Sequence, residues 1–204
     1  MKSSTSEGVI QFHCTLTPPP PWPDAWIDLL NQARQKAKVR GWLGQDPQRY
    51  EGLGFGNLSL RTATPEHPNA FIISASQTGH LNHLTPEYWT QVLNCNLAQA
   101  QVNAAGIHPP SSEALTHAAL YQANPDTQAV LHLHCPQGWR KAQQTAWPAT
   151  PCEATNGSQA LAFALTELGQ TSPQRAVMLG HTDGLLAWGH DFDQIFNQLL
   201  RDLV

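Results

Sequence analysis

The sequence is short of charge. Asp, Glu, Lys and Arg make up 13 % of its 204 residues, about half of the ~25 % usual in soluble domains. Its eleven Lys and Arg are scattered and the net charge is −4. Without a basic stripe, the chain has no nucleic-acid surface. It also lacks any run of ~18 apolar residues that would span a bilayer. The four cysteines, Cys14, Cys95, Cys135 and Cys152, form no Cys-x-x-Cys pair and no dense spacing, so they read as reduced, mostly buried thiols. The N-terminus has a single Lys, and Gln11, His13 and Thr15 interrupt its one apolar stretch, which is not the pattern of a signal peptide. No internal repeat occurs, and no composition break follows residue 24. What is left is a cytoplasmic protein with one domain, long enough for a proper core.

Residues 1–23 form a Pro-rich arm ending in Thr17-Pro18-Pro19-Pro20-Pro21-Trp22-Pro23. Its four consecutive prolines hold a polyproline II segment, lying on the body or trailing in solvent. Cutting it away is expected to be nearly neutral for folding. Residues 24–204 form the domain. Asp24 caps a helix running to about Gly41, with Trp26, Leu29, Leu30, Ala33 and Ala37 at helical spacing. Strands are expected at Leu58-Ser59-Leu60, Ala70–Ser74, Ala129–Cys135, Arg175–His181 and Leu185–Gly189, the last two as a hairpin. Helices are expected over Ala114–Tyr121, Trp139–Ala146, Gln159–Leu165 and Asp191–Val204.

Chemistry gathers at four places. In Ala129-Val130-Leu131-His132-Leu133-His134-Cys135 the apolar and imidazole residues alternate. Successive strand side chains point to opposite faces, so His132 and His134 look the same way and form the start of a metal site. The Gly52-Leu53-Gly54-Phe55-Gly56-Asn57 loop leaves the backbone free to approach a ligand, although it has neither Walker nor dinucleotide spacing. Thr78-Gly79 offers a hydroxyl and an amide to an anion, and the nearby His80 and His83 either line a cleft or face solvent. Pro109-Pro110-Ser111-Ser112-Glu113 opens a helix. There Glu113 either complements the helix macrodipole or, beside a metal, moves protons.

These motifs, in this order, resemble the class II aldolase/adducin family. The matching residues are Gly56-Asn57-Leu58-Ser59, Thr78-Gly79, Pro110-Ser111-Ser112-Glu113 with Thr116, His117 and Tyr121, the His132-Leu133-His134 strand, and Gly180-His181 with Gly184. The resemblance implies a three-layer α/β/α sandwich around a mainly antiparallel sheet, assembled as a homotetramer. It implies Zn²⁺, or another divalent metal, on His132, His134 and His181, with Glu113 as the catalytic acid/base. It assigns substrate phosphate to Asn57, Thr78, Gly79, Ser111 and Ser112. The implied activity is a zinc-dependent lyase, splitting a C–C bond of a small sugar phosphate or related hydroxy-carbonyl compound through a metal-stabilised enediolate. Other branches are a methylthioribulose-1-phosphate dehydratase, a pentulose-phosphate epimerase and the non-catalytic adducin head, a binding module. Two departures stand out. The family's C-terminal tyrosine is missing, since the only tyrosines are Tyr50, Tyr88 and Tyr121, which leaves its acid role to Asp183 or a histidine. In addition, Thr182-Asp183 is inserted between His181 and Gly184.

Overall fold

The computed structural model describes residues 7–170 and 174–203. The N-terminal half runs β1 (His13–Thr17), α1 (Asp24–Lys38), β2 (Gly44–Gln45), β3 (Gly54–Phe55), β4 (Asn57–Arg61), β5 (Phe71–Ser74), β6 (Trp89–Asn96) and β7 (Gln101–Ala105). Then follow α2 (Ala114–Ala123), β8 (Ala129–His134), α3 (Pro136–Gln143), β9 (Ala149–Thr150), α4 (Gln159–Leu168), β10 (Arg175–Met178), β11 (Gly184–Gly189) and α5 (Phe192–Leu203). Nine strands form one sheet in the order β1-β7-β6-β5-β4-β8-β11-β10-β9, while β2 and β3 pair separately. Among the described residues, β1/β7 and β9/β10 are the parallel pairs of the large sheet and the other neighbours are antiparallel.

Strand alternation sorts the apolar residues into two layers. On one face Leu58, Ile72, Leu131, Leu133, Leu185 and Ala187 pack against Ile27 and Leu30 of α1, Ala142 of α3, and Ile195 and Leu199 of α5. On the other face Phe71, Ile73, Val130, Leu186 and Trp188 meet Leu115 and Tyr121 of α2 and Leu161 and Leu165 of α4. Each such side chain contributes roughly 1.5–3 kcal/mol when fully buried. The result is the α/β/α sandwich implied by the resemblance. All six residues of β8 are buried, because helices cover both faces and strands flank both edges. Val130, His132 and His134 share one face by alternation, so the two imidazoles continue the line of an apolar core residue.

Two stretches depart from the sequence reading. Residues 89–105, read as no element, hold the β6–β7 hairpin. Within the Pro-rich arm, residues 13–17 are β1, paired along their whole length with Gln101–Ala105. The arm therefore supplies the edge strand of the sheet. Its removal would uncover the backbone groups of β7, so the expectation of a near-neutral truncation gives way to one of an exposed, aggregation-prone edge. The third helix also begins earlier than expected, at Pro136, where Cys135 Sγ accepts the Gly138 N–H at 3.4 Å.

Candidate metal centre and polar cleft

Three histidines converge where β8 ends. His132 and His134 come from β8, and His181 comes from the turn between β10 and β11. Their nearest nitrogens all lie within 4.8 Å of one another. Their side chains are almost sealed from solvent, at 1 %, 0 % and 4 % exposure. The register explains the convergence. Gly184 sits opposite His134 and Leu186 opposite His132, so the turn before β11 folds back over the end of β8. The Cys135 N–H donates to the Asp183 carbonyl at 3.0 Å, and the His134 N–H donates to the Trp42 carbonyl at 2.7 Å.

Among the described residues, His132 Nε2, both ring nitrogens of His134 and His181 Nδ1 have no hydrogen-bond partner. Buried polar atoms are normally paired, so several orphaned imidazole nitrogens facing one point mark a place built for something else. Burial first, then the neighbouring His181, hold His132 and His134 neutral, well below the usual imidazole range. Neutral imidazole is the form that ligates a metal. For His181, burial is the largest single cause and acts in the same direction, but the carboxylates of Glu7, Glu113 and Asp183 together outweigh it and raise the pKa.

Behind His132 runs a buried polar chain. Asn57 Nδ2 lies 3.3 Å from His132 Nδ1, and Asn57 Oδ1 accepts from His117 Nε2–H at 2.6 Å. His117 Nδ1 meets Ser59 Oγ at 2.7 Å, which meets the Tyr121 hydroxyl at 2.8 Å. For Nε2 of His132 to be bare, its proton must sit on Nδ1. A half-turn of the Asn57 amide gives that proton an acceptor, and His117 switches tautomer in step. The chain thus fixes the orientation of His132. Burial pushes His117 down to about 3, so folding favours its neutral form. Below the unfolded value of about 6.5 the unfolded chain takes up a proton that the folded chain refuses, down to about pH 3. The metal-free protein should therefore lose stability over that window, by up to about 1.4 kcal/mol per pH unit from this group alone. Urea titrations between pH 7 and 4 should show a shallower loss in His117→Gln; identical slopes would mean that His117 protonates freely in the folded state.

Glu113 lies on the next layer, at the first turn of α2, and is 2 % exposed. It occupies the helix N-cap but makes no capping bond through its side chain. Instead Thr116 Oγ1–H donates to Glu113 Oε2. Glu113 Oε1 has no hydrogen-bond partner among the described residues and lies 3.8 Å from His181 Nδ1. The macrodipole reading leaves that oxygen unexplained; a proton-carrying role does not. Burial is the main cause raising its pKa above the ordinary carboxylate range.

Asn57, Thr78, Gly79, Ser111, Ser112 and Glu113 line one polar cleft, so the structure brings every sequence-predicted anion residue to the same place. Helix α1 holds the Thr78-Gly79 loop from behind. Arg34 donates to the Thr78 carbonyl at 2.8 Å and the Asn82 carbonyl at 3.2 Å, while Lys38 Nζ donates to the Gly79 carbonyl at 3.1 Å. Gly79 is required by contact. A Cβ there would stand 2.1 Å from the Gly44 carbonyl oxygen and 3.0 Å from Gly54 Cα. His80 and His83 are exposed and take no part.

Three side chains at this site, Glu7, Arg49 and Tyr50, were not assigned a role from sequence. Glu7 Oε1 lies 2.5 Å from His181 Nε2 and 3.3 Å from His134 Nε2. Tyr50 packs edge-on against His134, with ring centroids 4.6 Å apart, and its hydroxyl donates to Asp183 Oδ2 at 2.9 Å while accepting from Arg49 Nη2 at 2.9 Å. Asp183, one of the acid candidates named from the sequence, is thereby tied to Tyr50, 133 positions away. Burial keeps that phenol protonated, above its usual range. Tyr50 and Asp183 both adopt left-handed backbone, at φ 49° and 65°. Such conformations in non-glycine residues cost free energy and persist where surrounding contacts hold them.

Known proteins carry the same architecture. Residues 46–201 match the family described as Class II Aldolase and Adducin N-terminal domain. Methylthioribulose-1-phosphate dehydratase of Gluconacetobacter diazotrophicus is 32 % identical over 114 residues, which are 56 % of this chain and 46 % of that enzyme. The match thus spans about half the length of the curated relative. Among solved structures, YgbL from Klebsiella pneumoniae superposes with a TM-score of 0.63 at 18 % identity, over 87 % of this chain and 84 % of its own. L-fuculose-1-phosphate aldolase from Thermus thermophilus gives 0.61 at 16 % identity, over 87 % of this chain and 89 % of its own. At those identities the likeness speaks for the fold. The family match covers most of the chain, including every candidate site residue except the N-terminal Glu7. The chain belongs to the class II aldolase and adducin N-terminal domain family.

Proposed function

We propose that this protein is a zinc-dependent lyase acting on a small phosphorylated sugar or related hydroxy-carbonyl compound. One observation carries the reading. Three buried imidazoles with orphaned nitrogens stand beside a buried carboxylate at the end of a hydroxyl- and amide-lined cleft. His132, His134 and His181 fit a divalent ion in ligand type and mutual spacing, with His132 and His134 held neutral by burial, and three histidines are a catalytic zinc set. When bound, the ion supplies Lewis-acid stabilisation of negative charge developing on substrate oxygens.

The remaining work falls to the chain. Asn57, Thr78, Gly79, Ser111 and Ser112 bind and orient the anionic end of the substrate through uncharged donors. Glu113, protonated more readily than an ordinary carboxylate, gives or takes the proton at the carbon next to the substrate carbonyl. Its burial excludes water from that transfer. The Tyr50–Asp183 pair borders His134 and fixes its ring. The fourfold assembly and cytoplasmic setting implied by the resemblance belong to this same reading.

A second reading, a dehydratase, is favoured by one finding, the methylthioribulose-1-phosphate dehydratase relative. It uses the same proton transfer at Glu113, followed by loss of water instead of C–C cleavage. The adducin-head reading is disfavoured, because the metal-ligating histidines and Glu113 are all present and buried.

The deciding measurement is metal content after chelator-free purification, for wild type beside His134→Ala. About one zinc per chain in the wild type, lost in the variant, is the expected result. Incubation with ketose phosphates and methylthioribulose-type substrates then separates aldehyde release from water loss. A folded wild type that holds no metal and ignores added zinc would overturn the enzyme reading in favour of a binding module.

A further inference from the structure

The metal reading leaves one feature over. The family match starts at residue 46, yet a carboxylate from residue 7 lies between two of the three histidines. Glu7 Oε1 contacts both His181 Nε2 and His134 Nε2, and the Glu7 side chain is only 13 % exposed. An exposed polar leader has no need to bury a carboxylate, and burying one away from partners is costly.

The path of the arm shows that this contact is built. Strand β1 anchors the arm along the edge strand β7. From there the chain runs back toward the site. Gln11 Nε2–H donates to the Asn156 carbonyl at 2.6 Å. Gly8 adopts φ +72°, and a Cβ on it would stand 1.8 Å from Gln77 Nε2. No other residue type fits there without moving Gln77, whose own Oε1 accepts the Gly54 N–H at 2.9 Å. Glu7 and Gly8 consequently form part of the cleft wall, alongside the anion-binding hydroxyls and Glu113.

We propose that Glu7 is the fourth protein ligand of the metal centre, delivered by the N-terminal arm, and that a substrate reaches the metal by displacing it. This rests on the metal reading above. Three histidines alone leave a coordination position open. An anionic oxygen already touching two of those histidines is placed to fill it, and a carboxylate oxygen is an ordinary zinc ligand. The arm then acts as a tethered competitor. It protects the ion when no substrate is present, and it swings out when a chelating pair of substrate oxygens arrives. Because the tether is short, the local concentration of the carboxylate is high, in the millimolar range typical of short linkers. Weak chelators would therefore fail to dislodge it.

The test uses the full-length chain with Zn²⁺ and Co²⁺ as probes. In chelator competition, Glu7→Gln and Glu7→Ala should bind Zn²⁺ about tenfold or more weakly than wild type, a loss in the range seen when metal-site groups are removed. The visible spectrum of the Co²⁺ form, which reports ligand number and type, should change in both variants. In the wild type, metal should also slow hydrogen exchange over residues 8–12, and it should not do so in the variants. Equal Zn²⁺ affinity and identical Co²⁺ spectra across the three proteins would overturn the assignment while leaving the three-histidine centre standing. A wild type that binds neither ion would instead remove the metal reading itself, and the role of Glu7 with it.

Discussion

Glu113→Gln should lower turnover by about 10²–10⁴-fold, the range lost when a positioned proton-transfer group is removed. Fold and metal content should be unchanged. The amide is isosteric and still accepts the Thr116 hydroxyl bond. It also relieves a carboxylate whose free oxygen lies in a dry site. The substitution removes only the ability to carry a proton. Because Glu113 is buried and contributes nothing to helix capping, the loss should fall on kcat more than on KM. Measured kcat and KM beside zinc content test this directly; turnover equal to wild type, with one metal per chain, would remove Glu113 from the mechanism.

The largest stability effect is expected at Trp188. Its side chain is fully buried in the middle of β11, opposite Val130 of β8. Trp188→Ala should cost about 3–5 kcal/mol, as large-to-small core substitutions do. For a chain of this size that corresponds to a fall in Tm of about 6–20 °C. The indole N–H has no hydrogen-bond partner among the described residues, so Trp188→Phe, which discards that donor and keeps most of the apolar area, should cost clearly less. Because Val130 lies two residues before His132 on the same face, the alanine cavity should also loosen the metal. Thermal unfolding of both variants with and without zinc measures the two effects. A loss below about 1 kcal/mol in Trp188→Ala would show that the two layers collapse around the gap.

The parts of the fold that obey a simple period were legible in the sequence. Alternation in β8 placed His132 and His134 on one face, and helical spacing placed α1, α2, α4 and α5. The hairpin β6–β7 was not legible, because the register shifts between Val92 and Asn94. A bulge inserts one residue and breaks the period of two on which the reading depends. β1 was hidden for a different reason. Its residues are mostly exposed, so no buried face patterns them, and the following prolines suggest extended chain in solvent.

At the site, residues within local motifs were readable, and those brought in from far away were not. Ser111, Ser112 and Glu113 stand together at one helix start, and Thr78-Gly79 stands in one loop. Glu7 is a single carboxylate in a polar leader, 174 positions from its partner His181. Tyr50 joins Asp183 across 133 positions through backbone that no propensity would select. Long-range polar contacts of this kind have no local period. Only the folded chain reveals them.

The order of strands also bears on when the chain can complete its three-histidine cluster. β11 is the last strand in sequence, yet it lies inside the sheet between β8 and β10. A chain emerging from the ribosome makes β8 and its two histidines well before the strand that covers them and the turn that carries His181. During that interval β8 has an open edge, and its two imidazoles lack the third. A third histidine contributed so late makes completion of the cluster a closing event of biosynthesis, coupled to the last strand sliding into place. The insertion of β11 thus gives a nascent chain an inherent delay before the three imidazoles stand together.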